Sequence, residues 1–301
     1  IQSTGTFRSE KTFYRAGGKG INISRQLKQL GVPSLNLFPI GGETGRIFRS
    51  VIESEQLAVS PVSVKSPMRT AAVIESPANK LSYLADNNPL SSVDISAMID
   101  KLSKMIVNAE IVVFAGSVPC EAAAEIYTEG LKLAAAHDKI SLLDTYGSHL
   151  KDCYQLSPTI VHNNLDEAAG LADVLSAEDD TASIVKNLYS HGIKQAYLTN
   201  AGQSFYSTNF NYLYRVTPPS VKAIDSTGSG DAFNAGILYG WYHDLTYTQT
   251  LSLAVKLGAL NSLSNQVCSI PQTQLEQFAA EVEIEPVGDK LKVINDTATF
   301  H

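Results

Sequence analysis

Five short apolar runs, separated by longer amphipathic stretches, constrain this chain more than any other feature. The runs are 35–40 (LNLFPI), 111–114 (IVVF), 140–143 (ISLL), 159–161 (TIV) and 196–199 (AYLT). Each has the length and aliphatic content of a strand covered on both faces. Helical spacing lies between them. Ile23, Leu27 and Leu30 recur at i, i+4 and i+7 and stop at Gly31, the residue type that most readily closes a helix. Ile95, Met98, Leu102, Met105 and Ile106 form one stripe over 94–108. Further helices are expected near 121–137, 165–175, 178–191, 230–243, 246–263 and 272–282. This alternation predicts an α/β fold: a mainly parallel central sheet with helices on both faces. Ligands of such folds gather at the carboxyl ends of the strands.

Two stretches break the rhythm. Residues 1–16 and 66–88 lack helical periodicity and carry β-branched and aromatic residues: Thr12, Phe13 and Tyr14 in one, Val73, Ile74 and Tyr83 in the other. They predict a small separate β-sheet, either a lid over the site or surface hairpins without a role. Residues 17–65 and 89–301 then form the α/β body. Hydrophobic residues at 44% and charged residues at 18% exclude a disordered chain. A net charge of −7 argues against a nucleic-acid partner, whose binders usually show a basic face. No apolar run reaches the roughly 18 residues of a membrane span, and the N-terminal segment has no signal-peptide core. Cys120, Cys153 and Cys268 are far apart and show no metal spacing. Free thiols of that kind suit a reducing cytoplasm.

The strongest local signal is 225–231 (DSTGSGD), followed by AFNAG. Glycines there let successive N–H groups turn toward one point, and the start of the helix near Asp231 adds partial positive charge. An anion suits that point, and Asp231 beside it could accept a hydroxyl proton. A bare Gly-rich turn before an ordinary helix is the alternative. Neither GxGxxG nor GxxxxGK[ST] occurs. A second glycine motif, Gly17-Gly18-Lys19-Gly20-Ile21-Asn22, also opens a helix. It permits close approach of a polyhydroxylated ligand, with Lys19 and Asn22 as donors; a tight turn is the alternative.

Together the two motifs, AGGKGIN (16–22) and DSTGSGDAFNAG (225–236), resemble the signatures of the ribokinase-like (PfkB) carbohydrate kinases. The resemblance runs over nearly the whole chain. GGETG (41–45) is similar to the family's glycine turn, AGSVP (115–119) to its SGSLP segment, and LDTYG (143–147) to the LDTSG of the phosphosugar branch. NLDE (164–167) is similar to NxxE, and Arg69 falls at the branch's TRxN segment. The branch most resembled is that of 1-phosphofructokinase and tagatose-6-phosphate kinase. Four places depart from the pattern, one being the glycine-rich nucleotide segment after AYLT, which reads Asn200-Ala201-Gly202-Gln203 with fewer glycines than usual. The sequence opens beyond the family's first strand and its TxNPxxD-like motif, Ala71 stands for the TRxN asparagine, and His162-Asn163-Asn164 stands for KPN.

The resemblance implies a ribokinase-like three-layer α/β/α fold with a small β lid, and an ATP-dependent kinase that phosphorylates a sugar hydroxyl. The acceptor is expected to be a phosphosugar of the fructose 1-phosphate or tagatose 6-phosphate type. It further implies Asp231 as base, with Gly228, Ser229 and Gly230 stabilising the phosphoryl in flight. Gly17, Gly18, Lys19, Asn22 and Arg69 would hold the acceptor, and Asn164, Asn200, Gly202 and Thr227 the nucleotide. Glu167 would help hold Mg²⁺, with a monovalent cation beside the DSTGSGD turn as a further candidate. A homodimer through the lid is expected, with no membrane or nucleic-acid partner. Read without the family, Glu167 could be a first-turn helix acid, Arg69 a surface residue and Asp144 an N-cap. The rival functions are a kinase of an unphosphorylated sugar or nucleoside, and a catalytically weak sugar or nucleotide binder.

Overall fold

A turn at Gly18, with φ of 110°, leads into helix α1 (Lys19–Gln29), and Gly31, with φ of 74°, follows its end. Both angles lie where a Cβ is disfavoured, so the glycines set the length of this helix. The computed structural model describes residues 12–75, 80–168 and 181–287. Next come β1 (Pro39–Ile40), α2 (Gly42–Glu55) and β2 (Val62–Ser63), then the hairpin β3 (Ala71–Glu75) and β4 (Lys80–Leu84). The central unit begins with α3 (Ser92–Met105), β5 (Ile111–Ala115), α4 (Glu125–Ala136) and β6 (Ile140–Asp144). It continues through α5 (Leu150–Gln155), β7 (Ile160–Asn164), α6 (Leu165–Ala168) and α7 (Thr181–Ser190). Strands β8 (Gln195–Asn200), β9 (Gln203–Asn209) and β10 (Tyr212–Thr217) precede α8 (Ser229–Tyr242), α9 (Tyr247–Ser262), α10 (Gln272–Gln277) and β11 (Glu283–Val287).

The seven-stranded sheet has the order β11-β10-β9-β8-β7-β6-β5. It is parallel over β5–β8 and antiparallel over β8–β11. The expectation of a mainly parallel sheet thus describes the half that carries the site. The other half turns back through tight links at Ala201-Gly202 and Phe210-Asn211, where Ala201 and Phe210 take positive φ. Links this short can only join antiparallel neighbours. Consecutive strand residues point to opposite layers. Leu142, Ile160 and Tyr197 pack under α1, α8 and α9 with Ile23, Leu27, Phe233, Ile237 and Leu251. Their neighbours Leu143, Val161 and Leu198 pack against Leu102, Leu131, Tyr154, Val185 and Leu188. Three layers follow from that alternation.

Several expectations need correction. The strand at 35–40 shrinks to β1, which pairs parallel with β2 outside the central sheet, with one further bridge from Asn36 to Val59. The GGETG segment is not only a turn, because α2 starts inside it and buries Ile52. The 272–282 helix stops at Gln277. Within the expected lid, β3 and β4 form their own antiparallel pair. Residues 12–16 form no strand, and 1–11 lie outside the described residues, as do 169–175 of the expected helix at 165–175. Among the described residues, no helix is long and apolar enough to cross a membrane.

Helix α8 crosses the core and is buried along most of its length. It packs against α9 through glycines. A Cβ on Gly236 would sit 2.5 Å from Ala254 Cα, and one on Gly240 would sit 2.1 Å from Thr250 Oγ1. Gly236 faces backbone, which cannot swing aside. Gly236→Ala should therefore lower stability by about 1–3 kcal/mol, the usual penalty of overpacking. In urea unfolding its midpoint should fall with the m-value unchanged; an unaltered midpoint contradicts this packing.

Candidate active site

The parallel strands deliver their last residues to one end of the sheet: Asp144 from β6 and Asn164 from β7. The first turns of α1 and α8 arrive at the same place. Lys19 Nζ donates to Asp144 Oδ1 at 2.5 Å and to Glu167 Oε1 at 3.0 Å, and lies 5.7 Å from the centroid of the Tyr146 ring. Burial alone would lower the pKa of this ammonium, but the carboxylates of Asp144 and Glu167 outweigh it and hold the group above the usual lysine range. Lys19 is thus a cation fixed between two acids.

Asp231, in the first turn of α8, is the third carboxylate. Only 6% of it is exposed. Asn22 Nδ2 donates to its Oδ2 at 2.7 Å. Burial pushes its pKa up, and the charges of Asp144 and Glu167 push the same way, while the Asn22 hydrogen bond and Lys19 pull it down. The balance brings it to about 7. A carboxylate titrating near neutrality at a helix start is suited to taking a proton.

The turn before α8 is held from three sides. Asp225 Oδ1 accepts from Thr227 N and Thr227 Oγ1 at 3.0 and 2.7 Å. Buried Asn261 on α9 donates to Thr227 O at 2.8 Å and accepts from Cys268 N at 2.7 Å. Gly228, at φ 77°, faces Val267, which a Cβ would meet at 2.3 Å. Of the three N–H groups expected to face an anion, Ser229 N already donates to Ser226 O at 3.0 Å. Gly228 and Gly230 are the remaining candidates for that role.

Other expected residues fall into place differently. Gly17 and Gly18 border open space, with no atom within 4 Å of a Cβ built on either. They line a large cleft with Lys19, Arg69, Asn88 and Ser117. Arg69 is exposed and donates to Asn87 Oδ1 at 2.8 Å. Asn164 and Glu167 cap α6 reciprocally: Glu167 N donates to Asn164 Oδ1 at 2.8 Å and Asn164 N to Glu167 Oε2 at 3.1 Å. The helix-acid reading of Glu167 therefore holds alongside its contact with Lys19. Asn200 ends β8 and Gly202 lies in the hairpin link to β9.

Sequence reasoning undervalued Asp144. It is no N-cap but the hub of the cluster, 1% exposed, accepting from Lys19 on one oxygen and from Asn234 Nδ2 at 2.7 Å on the other. Its place at a strand's carboxyl end was the available signal. His162, where the family has lysine, packs on Phe233 and reaches Thr199 Oγ1 at 3.1 Å through Nε2. Its Nδ1 lies 3.9 Å from Asp144 Oδ2. Neither that atom nor Asn234 Oδ1 has a hydrogen bond of regular geometry. Burial lowers the pKa of His162, which favours the neutral ring.

Comparison with known proteins gives the family and the fold. The model of the pfkB family carbohydrate kinases matches residues 3–273. Over 281 residues the chain is 23% identical to a tagatose-6-phosphate kinase of Staphylococcus epidermidis, spanning 92% of this chain and 91% of that one. It is 25% identical over 277 residues to a 1-phosphofructokinase of Borreliella burgdorferi, spanning 90% and 88%. Among solved structures, Escherichia coli phosphofructokinase-2 in complex with potassium superposes with a TM-score of 0.81 at 20% identity, covering 92% and 91%.

The raised pKa of Asp231 fixes a sign for stability. The favourable state is the protonated one, fully present below the ordinary value of 3.8 and lost as pH rises through about 7. Asp231→Asn stays neutral throughout. Its melting temperature should exceed that of the unaltered protein by a few degrees at pH 8, with the gap closing toward pH 5. A gap independent of pH over that range contradicts the assignment.

Proposed function

Because the chain belongs to the pfkB family of carbohydrate kinases, phosphotransferases with an alcohol group as acceptor, we propose that it transfers the γ-phosphoryl group of ATP to a hydroxyl of a phosphosugar. The acceptor is of the fructose 1-phosphate or tagatose 6-phosphate type. One observation carries the reading: a buried carboxylate, Asp231, stands in the first turn of α8 with one oxygen engaged by Asn22. Its other oxygen is available to a hydroxyl proton. The alternative of another class is a catalytically weak family member that binds sugar or nucleotide, which would be stabilised by ligand without releasing ADP.

The acceptor enters over Gly17 and Gly18, where the absence of side chains leaves room for a sugar ring. Arg69, on the same cleft, takes the acceptor's existing phosphate through its planar fork. Asp231 accepts the proton of the attacking hydroxyl. The N–H groups of Gly228 and Gly230, with the positive end of α8, face the charge that develops on the transferred phosphoryl. Asn200, Gly202 and Thr227 lie toward the nucleotide. The oxygens of Glu167 and Asp144 are hard donors of the kind Mg²⁺ takes, and they already share one cation, Lys19. Mg²⁺ with ATP would be held on that side, with Asn164 in support, and would neutralise phosphate charge. A monovalent cation beside the 225–231 turn would parallel the potassium complex of the E. coli phosphofructokinase-2.

A second reading, a neutral sugar or nucleoside acceptor, draws on the engagement of Lys19 by two carboxylates and of Arg69 by Asn87. For assembly we propose that hairpin β3–β4 is both lid and dimer contact. Val73, Ile74, Tyr83 and Leu84 are more than half exposed on it, and an isolated two-stranded hairpin is marginal in water. The protein's place is the cytoplasm, consistent with its free thiols at Cys120, Cys153 and Cys268.

Coupled ADP release with Mg·ATP should show turnover on fructose 1-phosphate or tagatose 6-phosphate and little on ribose or adenosine. Turnover confined to a neutral acceptor selects the second reading. Asp231→Asn should lower kcat at least about a hundredfold with KM little changed; near-normal turnover refutes the role of the base. Ile74→Glu should convert a dimer into a monomer in light scattering, and an unchanged mass contradicts the hairpin contact.

A further inference from the structure

The geometry points to Arg25 as a positioning residue that sets which way the Asn22 amide faces, and through it the carboxylate of Asp231. This rests on the reading of Asp231 as the base. Arg25 lies one turn after Asn22 on α1, so the two share a helix face. It is 7% exposed. Its Nε and Nη2 meet Glu55 Oε2 and Oε1 on α2 at 2.6 and 3.1 Å, a two-pronged pair. Nη2 also donates to Ala16 O at 2.5 Å, at the base of the Gly17-Gly18 turn. Nη1 donates to Asn22 Oδ1 at 2.8 Å.

A guanidinium donates and never accepts. The Asn22 atom facing it must therefore be the carbonyl oxygen, which leaves Nδ2 for Asp231. Flipping the amide would set donor against donor at Arg25 and acceptor against carboxylate at Asp231. The chain of groups thus has one stable polarity, from Glu55 through Arg25 and Asn22 to Asp231. It fixes one oxygen of Asp231 and leaves the other for substrate. Lysine could not reproduce it, because a point charge cannot hold Glu55, Ala16 O and Asn22 in three fixed directions at once.

The test follows the Asp231 carboxyl by ¹³C NMR in aspartate-labelled protein, assigned by its loss in Asp231→Asn, for the unaltered chain, Arg25→Lys and Arg25→Met. Lys19, Asp144, Glu167 and the Cys268 thiol also act electrostatically on Asp231, and they are common to all three proteins. The Asp231 titration should move to higher pH in both Arg25 variants, further in Arg25→Met. With the best acceptor, kcat should fall about tenfold, the scale of lost outer support, while KM for ATP holds. A titration unmoved in a folded Arg25→Lys overturns the inference. If Arg25→Met fails to fold, Arg25→Lys alone decides it. A chain without turnover in which the titration still moves would sink the kinase reading and keep the network.

Discussion

One ammonium joins three parts of the fold. Lys19 opens α1, Asp144 closes β6 and Glu167 sits in α6, separated by 125 and 148 residues from the lysine. Without that cation, two carboxylates would face each other beside a third, Asp231. Like charges in a partly dry site cannot all stay ionised. Lys19 answers Asp144 and Glu167 with one positive charge, while Asp231 has Asn22 as its hydrogen-bond partner. Burial is the largest cause of Asp231's raised pKa, and the charges of Asp144 and Glu167 add to it against the pull of Asn22 and Lys19.

Helix α8 supplies the other half of the constraint. It is buried from Asp231 through Leu238, while Gly230 just before Asp231 is exposed, so the carboxylate stands where the core meets the surface. A base placed there is desolvated by the same packing that holds the helix. Gly236 and Gly240 let α9 approach closely, and α9 returns Asn261 to brace the turn at Thr227 and Cys268. The site's precision and its cost in stability come from the same contacts.

Much of this was legible in the sequence. Aliphatic runs of strand length located β5, β6, β7 and β8, because strands covered on both faces need apolar residues on both. The glycine motifs located both helix starts. What was hidden had polar or mixed sequence. Strands β9 and β10 read QSFYSTN and YLYRVT, with buried Ser207 and Thr208 answered by Tyr247 and Ala196, pairings no local pattern reveals. Asp144, Asn261 and the Arg25–Glu55 pair likewise take their meaning from partners distant in sequence. Glu167 shows the converse: a first-turn acid readable from the local sequence also pairs with Lys19, a partner 148 residues away.

As the proposed base, Asp231 makes turnover depend on a buried carboxylate that titrates near neutrality. The pH dependence of kcat/KM reports ionisations of the free enzyme. With the best phosphosugar acceptor, it should rise along an ascending limb centred near Asp231's value of about 7. A profile flat from pH 5 to 9, or one inflecting near the ordinary carboxylate value of 3.8, would contradict that role for Asp231.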